Sequence, residues 1–150
     1  MSFMLSARSN ERLEGVNSTL VKVVKKAITV TTVDFGVICG KRTIEEQESL
    51  FAKGATKTMK SKHLDGRAVD LMAYIDGRAS WEINVYDEVA DAMAEAAREL
   101  NVVVRWGGAW TTANIAAWEG TMEEAMMNYV DIRRGEGKRP FIDGPHFELM

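Results

Sequence analysis

The chain has only two histidines, His63 and His146, and each lies in a short stretch that also contains a glycine and a carboxylate. The first stretch covers residues 61–70 and the second covers residues 143–148. Two imidazoles and one carboxylate form a three-ligand zinc set that leaves a fourth position for water, as in zinc hydrolases. Such a set constrains the fold strongly, because the third ligand must come from far along the chain, as a neighbouring strand would bring it.

The candidate ligands are His63, Asp70 and His146, which have the residue types that zinc binds. A histidine on a loop and an aspartate seven residues later can converge if Gly66 forms the turn between them. One carboxylate against Zn²⁺ leaves the site net positive, which lowers the pKa of a bound water and polarises a carbonyl oxygen. The two stretches therefore predict a zinc hydrolase.

Three further charged residues are candidates for the chemistry around these ligands. A zinc hydrolase needs a group that takes the proton of the water, and Asp143, three residues before His146, is the nearest candidate. Glu148 is either that base or a group that orients a ligand imidazole. Arg42 is either a partner for an oxyanion or a substrate carboxylate, or a surface arginine at the start of a helix. The residues alone leave these alternatives open.

Composition predicts a single globular domain over residues 1–150, with 46% hydrophobic and 27% charged residues. The net charge of -3 provides no basic field for a phosphate backbone, so we do not expect nucleic acid as a partner. Cys39 is the only cysteine, and its apolar neighbours predict a buried strand residue rather than a nucleophile. Residues 1–10 lack a signal-peptide pattern, and no stretch approaches the ~20 apolar residues of a membrane span. We therefore expect a monomer that is made in the cytoplasm without membrane insertion.

Hydrophobic periodicity predicts alternating helices and short strands. Helices are predicted from Ser18, from a capping box of Thr43 and Glu46, and over residues 81–100, 112–118 and 121–134. Strands are predicted in residues 30–38, 67–74, 102–105, 141–142 and 145–149. In the strand at 67–74, Asp70 is expected on the face opposite Val69. The inward face of the helix after Thr43 is predicted to consist of Ile44, Gln47, Leu50 and Phe51.

The pattern Ser-x-His-x-x-Gly-x-Ala-x-Asp at 61–70, followed by Asp-x-x-His-Phe-Glu at 143–148, resembles the zinc DD/LD-peptidases of bacterial cell walls. That group, also called LAS-type, includes D-Ala-D-Ala carboxypeptidases and hedgehog-like domains. Within it, the chain is most similar to phage and prophage endolysins that cut L-alanyl-D-glutamate bonds in peptidoglycan. The motifs that carry this similarity are Ser-Asn-Glu-Arg-Leu-Glu-Gly-Val at 9–16, Val-Asp-Phe-Gly-Val at 33–37, Arg-Thr-x-x-x-Gln at 42–47, Lys-Thr-Met at 57–59 and Trp-Gly-Gly at 106–108.

The resemblance implies that one zinc ion is bound by His63, Asp70 and His146. It also implies that Asp143 is the catalytic acid/base and that Arg42 stabilises the charge that develops on the scissile carbonyl. The implied fold is α+β, with helices packed on a small antiparallel sheet as in hedgehog and DD-peptidase domains. Supporting or substrate-contacting positions are expected at Ser61, Gln47, Glu148 and Trp106.

The implied function is hydrolysis of the L-Ala-D-Glu bond of the peptidoglycan stem peptide for lysis of the host. Without a signal sequence, such an enzyme would wait in the cytoplasm until a separate membrane pore admits it to the wall. The alternatives are a D-Ala-D-Ala or LD-carboxypeptidase of the same family and a catalytically silent, zinc-stabilised module that binds the wall.

Two departures from the family pattern leave the substrate range open. Many members have an acidic residue where Ala109 stands, and many are shorter between the Gly-Gly-x-Trp element and the last histidine. Residues 111–140 are therefore a predicted helical insertion. We expect this insertion to extend the core, with covering the cleft or binding glycan as alternatives.

Overall fold

The computed structural model describes residues 3–56 and 58–150. Residues 1, 2 and 57 lie outside the described residues. The first two belong to the N-terminal stretch in which no signal peptide is predicted, and Lys57 belongs to the motif at 57–59. Two short 3₁₀-helices cover Lys62–Asp65 and Ile115–Ala117. The α-helices are α1 (Ala7–Arg12), α2 (Ser18–Val30), α3 (Ile44–Ala52), α4 (Ile83–Leu100) and α5 (Met122–Gly135), and the strands are β1 (Asp34–Cys39), β2 (Ala68–Ile75), β3 (Arg78–Ser80), β4 (Val104–Trp106) and β5 (His146–Leu149).

The strands form one antiparallel sheet in the order β1-β2-β5-β4, and β3 pairs with β2 as a hairpin. In the register between β2 and β5, Asp70 lies opposite His146. The sheet therefore joins the two histidine-containing stretches directly. The predicted class, α+β with helices packed on a small antiparallel sheet, is confirmed.

The core lies between the sheet and the helix pair α2 and α4. Val69 and Leu71 of β2 are fully buried in it, against apolar side chains such as Val23 of α2 and Met93 of α4. Because side chains alternate across a strand, Asp70 lies on the other face of the sheet. The predicted strand alternation thus keeps the carboxylate out of the apolar core and presents it to the site.

Some predicted boundaries are wrong. Asn17, not Ser18, caps α2, since its side chain accepts a hydrogen bond from the backbone N–H of Thr19 at 2.9 Å. The β-branched residues after Ile28 predicted a strand from residue 30, but α2 continues to Val30 because packing of its buried face outweighs their propensity. The predicted helix at 112–118 is only the 3₁₀-turn Ile115–Ala117, which the side chain of Asn114 caps.

Two further predictions are wrong: the inward face of α3 and the strand at residues 141–142. In α3, Ile44 and Phe51 are 62% and 48% exposed, and only Gln47 of the predicted inward face is fully buried. Residues 141–142 form no strand, because both backbone polar groups of Phe141 bond to the hydroxyl of Tyr129 instead of a neighbouring strand.

Among the described residues, no helix combines the length and apolar character that a bilayer span requires.

Candidate metal centre and active site

Three separate elements bring the predicted ligands together. Asp70 on β2 and His146 on β5 are register partners, and their Oδ1 and Nδ1 atoms are 3.2 Å apart. His63 comes from the 3₁₀-helix Lys62–Asp65, which begins where Ser61 Oγ accepts a hydrogen bond from the His63 N–H at 3.2 Å. Gly66 ends this helix with a left-handed backbone, φ 68°, which glycine adopts without strain. The result places His63 Nε2 3.3 Å from Asp70 Oδ2.

Each imidazole is fixed from its far side by an acceptor. His63 Nδ1 donates to the carbonyl oxygen of Gly40 at 2.7 Å, and His146 Nε2 donates to Glu148 Oε1 at 2.8 Å. Lys62 Nζ in turn lies 3.1 Å from Glu148 Oε2. These contacts turn His63 Nε2 and His146 Nδ1 toward Asp70, as in metal sites where an outer acceptor orients the ligand imidazole. Of the alternatives for Glu148, the geometry favours the group that orients an imidazole.

The contacts with Asp70 strongly perturb the titration of all three groups. Burial lowers the pKa of His63 and of His146, but their polar contacts outweigh it and raise the two pKa values to about 10 and about 9. Burial raises the pKa of Asp70, but its contacts with His146 and His63 hold that pKa well below the usual range. His63 Nε2 is buried, and it forms no well-aligned hydrogen bond within residues 3–56 and 58–150. The cluster therefore favours a positive charge between the carboxylate and the two rings.

Candidate donor atoms lie within 4.8 Å of one another in two groups among the described residues. One group is Cys39, His63 and Asp70, and the other is Asp70, Asp143 and His146. The groups share Asp70, and the predicted set takes two members from each. Either group could hold a metal ion; the predicted set of His63, Asp70 and His146 is not itself one of the two groups and stays a prediction.

Cys39 is the donor that the sequence did not indicate. Its Sγ lies 3.8 Å from His63 Nδ1, and the residue is only partly buried. The β1–β2 register is irregular between Val37 and Cys39, and this sets Cys39 opposite Asp70. Because a bulge re-aims a side chain, strand alternation alone could not predict this contact.

Arg42 is part of the site and not a surface arginine. Its Nη2 donates to Asp70 Oδ2 at 3.3 Å, and its Nη1 donates to Gln47 Oε1 at 3.1 Å. Gln47 is fully buried in α3, and its Nε2 also donates to the carbonyl oxygen of Thr58 at 2.7 Å. Gln47 thus fixes the guanidinium and ties the loop after α3 to it.

The loop before β5 holds Asp143 against the turn after β4. The Asp143 N–H donates to the Gly107 carbonyl at 2.9 Å, and the Gly107 N–H donates to the His146 carbonyl at 2.8 Å. Gly107 is required for this approach, because a Cβ there would collide with the carbonyl oxygen of Asp143. Trp106 Nε1 donates to the Gly144 carbonyl at 2.7 Å. Trp106 is fully buried, so it supports the loop and does not contact substrate.

Asp143 is electrostatically distinct from Asp70. Burial, followed by the negative charge of Asp70, raises the pKa of Asp143 despite the opposing effects of His146, His63 and Arg42. The structure therefore places a second carboxyl group, in a different electrostatic environment, beside the candidate metal ligands.

Comparisons with known proteins identify the family of the chain. A family model described as phage L-alanyl-D-glutamate peptidase matches residues 1–150. The chain belongs to this family. The L-alanyl-D-glutamate peptidase of Escherichia phage T5 is 30% identical over 154 residues, with 100% of both chains covered. The crystal structure of the L-Ala D-Glu endopeptidase ChiX from Serratia marcescens matches with a TM-score of 0.73 and 34% identity, covering 98% of this chain and 90% of that chain. The predicted family and the predicted peptidase class are confirmed.

In this member of the L-alanyl-D-glutamate peptidase family, a cleft of about 700 Å³ is lined by all of the predicted site residues except Gln47 and Trp106, which are buried beneath it. The sequence did not indicate Trp110 and Phe141 as part of it. Their rings are nearly parallel, at 18°, with centroids 6.4 Å apart. The Trp110 ring also lies 5.5 Å from that of His146. The cleft lining includes Arg42, Thr58, Lys60, Ser61, Lys62, His63, Asp70, Trp110, Phe141, Asp143, His146 and Glu148.

Proposed function

We propose that this chain is a zinc-dependent endolysin that hydrolyses the L-Ala-D-Glu bond in the stem peptide of peptidoglycan. Membership of the phage L-alanyl-D-glutamate peptidase family supports the bond and the polymer. One observation supports the metal most directly: His63 Nε2 and His146 Nδ1 both face oxygens of the same carboxylate, Asp70. Two neutral imidazoles and a carboxylate form an open, three-ligand zinc set.

The two separations that involve Asp70 are close to those between zinc ligands. Ligand atoms at zinc–ligand distances of about 2.1 Å in a tetrahedron lie about 3.4 Å from one another. The Asp70 oxygens are 3.3 Å from His63 Nε2 and 3.2 Å from His146 Nδ1. When bound there, zinc would supply Lewis-acid chemistry by lowering the pKa of a water and polarising the scissile carbonyl.

The remaining residues would handle the proton and the developing charge. Asp143 would take the proton of the attacking water and deliver it to the leaving nitrogen of D-Glu, because its carboxyl group lies beside Asp70 and His146. Arg42, fixed by Gln47, would stabilise the negative charge on the carbonyl oxygen. Glu148 and Ser61 would keep the two ligand histidines in their orientation.

Digestion of purified peptidoglycan followed by mass spectrometry of the muropeptides tests this proposal. We expect new stem fragments that begin with D-Glu, full inhibition by a chelator and recovery on addition of one equivalent of zinc. Release of free D-alanine with intact L-Ala-D-Glu bonds would instead identify a carboxypeptidase. Walls that remain uncut by protein with full zinc occupancy would identify a binding module.

We also propose that the enzyme acts as a monomer and reaches the wall from the cytoplasm through a separate membrane pore. The pore is needed because peptidoglycan lies outside the cytoplasmic membrane. Expression of the chain in bacteria, with and without a pore-forming protein, tests this route. Lysis should require both proteins, and light scattering of the purified chain should give the mass of one copy, 16.7 kDa.

A further inference from the structure

One wall of the cleft is aromatic and presents an exposed ring. Phe141 is 58% exposed, although it stacks on Trp110. Trp110 is itself fixed by Arg105, whose Nε and Nη2 donate to the Trp110 carbonyl at 3.0 and 2.7 Å, and whose guanidinium lies 5.0 Å from the Trp110 ring centroid. An aromatic pair of this kind is a flat, apolar platform at the edge of a catalytic cleft.

The exposed ring of Phe141 is attached to a backbone that α5 holds in place. The hydroxyl of Tyr129 donates to the Phe141 carbonyl at 3.0 Å and accepts from the Phe141 N–H at 2.9 Å. Tyr129 is only 4% exposed, and α5 is anchored on α4 where the Met122 N–H donates to Asp91 Oδ1 at 2.8 Å. Because two hydrogen bonds hold the backbone of Phe141, its exposed apolar ring is pre-organised for a ligand.

The opposite wall of the cleft is basic. In the sheet order β1-β2-β5-β4, Arg42 follows the outer strand β1, whereas Trp110 follows the outer strand β4. Lys60 also lines the cleft, two residues after Thr58, whose carbonyl oxygen accepts a hydrogen bond from Gln47, the partner of Arg42. The candidate ligands on β2 and β5 therefore lie between a basic wall and an aromatic wall.

The groups on the two sides of an L-Ala-D-Glu bond also differ in charge. Glutamate has two carboxyl groups and the stem continues through one, so a free carboxylate follows the scissile nitrogen. On the other side, L-Ala is joined through a lactyl group to the uncharged pyranose ring of muramic acid. We propose that Phe141 and Trp110 bind this sugar ring, which rests on the function proposed above. Charge matching then directs the carboxylate to the Arg42 wall.

The distances allow this arrangement. L-Ala and the lactyl group together span about 7 Å of chain, at ~3.5 Å per unit. The Trp110 ring lies 5.5 Å from the His146 ring, and the Phe141 ring lies 6.4 Å from Trp110. The apolar C–H face of a pyranose can thus rest on the aromatic wall while the scissile carbonyl lies beside the candidate ligands. This subsite makes the enzyme selective for stems that are still attached to glycan.

A pair of substrates that differ only in the sugar tests the subsite. One is a muramyl stem peptide, and the other is the same peptide with an acetyl group on L-Ala, so that both present a neutral amide. The measured quantity is kcat/KM for the muramyl substrate divided by kcat/KM for the acetyl substrate. In the wild-type chain this ratio should be well above one. Phe141→Ala should lower it about tenfold, whereas Phe141→Tyr should retain it.

Phe51→Ala is the matched control, because Phe51 is a 48% exposed phenylalanine on α3 that does not line the cleft. It should leave the ratio unchanged. The subsite is refuted if the wild-type ratio is near one, or if Phe141→Ala changes both rates equally. If the wild-type chain cuts neither substrate while its zinc is fully bound, the proposed hydrolase function itself fails, and the subsite fails with it.

Discussion

The strands that carry Asp70 and His146 and the loop that carries Asp143 are fixed by different kinds of contact. The two candidate ligands are register partners in the middle of the sheet, so ladder hydrogen bonds on both sides set their separation. Asp143 lies outside the ladder and depends on single bonds to Gly107 and on the Trp106 bond to Gly144. Metal binding should therefore depend on sheet register, and proton transfer on how well the loop is docked.

The strongest test of the sheet-borne part is Asp70→Ala. Both ligand imidazoles and Arg42 would lose the carboxylate that they share, leaving three groups that repel one another when charged. We expect zinc affinity to fall by at least about 100-fold, and wall hydrolysis to be lost with it. Zinc content after dialysis and the clearing of purified walls measure the two effects. Full zinc occupancy in this variant would show that Asp70 is not a ligand.

Asp143→Asn tests the loop-borne part with almost no change in side-chain volume. The amide cannot exchange the proton, so kcat should fall by about 10²–10⁴-fold. Zinc occupancy and melting temperature should stay close to wild type, because the β2–β5 register is untouched. If the variant also lost zinc, the loop would contribute to metal binding as well as to proton transfer. That result would favour Asp70, Asp143 and His146 as the donor group.

Docking of the loop can be weakened without changing any polar side chain. Gly107→Ala places a methyl group against the Asp143 carbonyl, and relief of that collision must shift the loop or the turn after β4. We expect a stability loss of about 1–3 kcal/mol and a fall in kcat that exceeds the loss of zinc affinity. Gly135→Ala is the control, since a Cβ at that glycine, at the end of α5, would have no neighbour within 4 Å. Urea unfolding and steady-state rates of both variants would show whether loop position limits the rate, and equal losses of kcat in the two would refute it.

The same division explains how far the sequence could predict the site. Alternation along residues 67–74 places Asp70 opposite the core face, and the capping box of Thr43 and Glu46 places Arg42 at the start of α3, because both patterns are local. The contacts of Cys39 were missed, since a register irregularity decides them. The aromatic wall was missed because it depends on Tyr129, which reaches Phe141 only after α5 has packed on α4.

Residues 111–140 show the limit of composition and periodicity most clearly. Periodicity predicts the helix over residues 121–134, and α5 covers Met122–Gly135, with Ala125 fully buried in the core cluster. Periodicity gives no information about the hydroxyl of Tyr129. Its hydrogen bonds to the backbone of Phe141 nevertheless connect residues 111–140 to the loop that carries Asp143. Side-chain hydrogen bonds to a distant backbone require the tertiary fold, so no local pattern predicts them.

The smallest expected effect concerns a residue of α4 that does not line the cleft. Asp87 on α4 is only 6% exposed, and burial, followed by the negative charges of Glu123, Asp91 and Glu88, raises its pKa to about 6. A carboxyl whose folded-state pKa is raised binds its proton more tightly in the folded chain than in the unfolded one. Its destabilising effect is therefore fully present above pH ~6, and it is relieved as the pH falls through 6 toward the unfolded value near 4.

Asp87→Asn should accordingly raise the free energy of unfolding by about 1 kcal/mol at pH 8, after allowance for solvent screening, and by nearly nothing at pH 4. Glu88→Gln removes a neighbouring charge at an exposed position and should have less than half this effect. Urea unfolding at the two pH values measures the difference, and wall hydrolysis at pH 8 should be unchanged in both variants. A gain of equal size at both pH values would mean that Asp87 destabilises the fold through packing and not through its charge. A change in kcat would show that the charge of Asp87 affects the loop that carries Asp143, which packs on Tyr86 of α4 at Gly144.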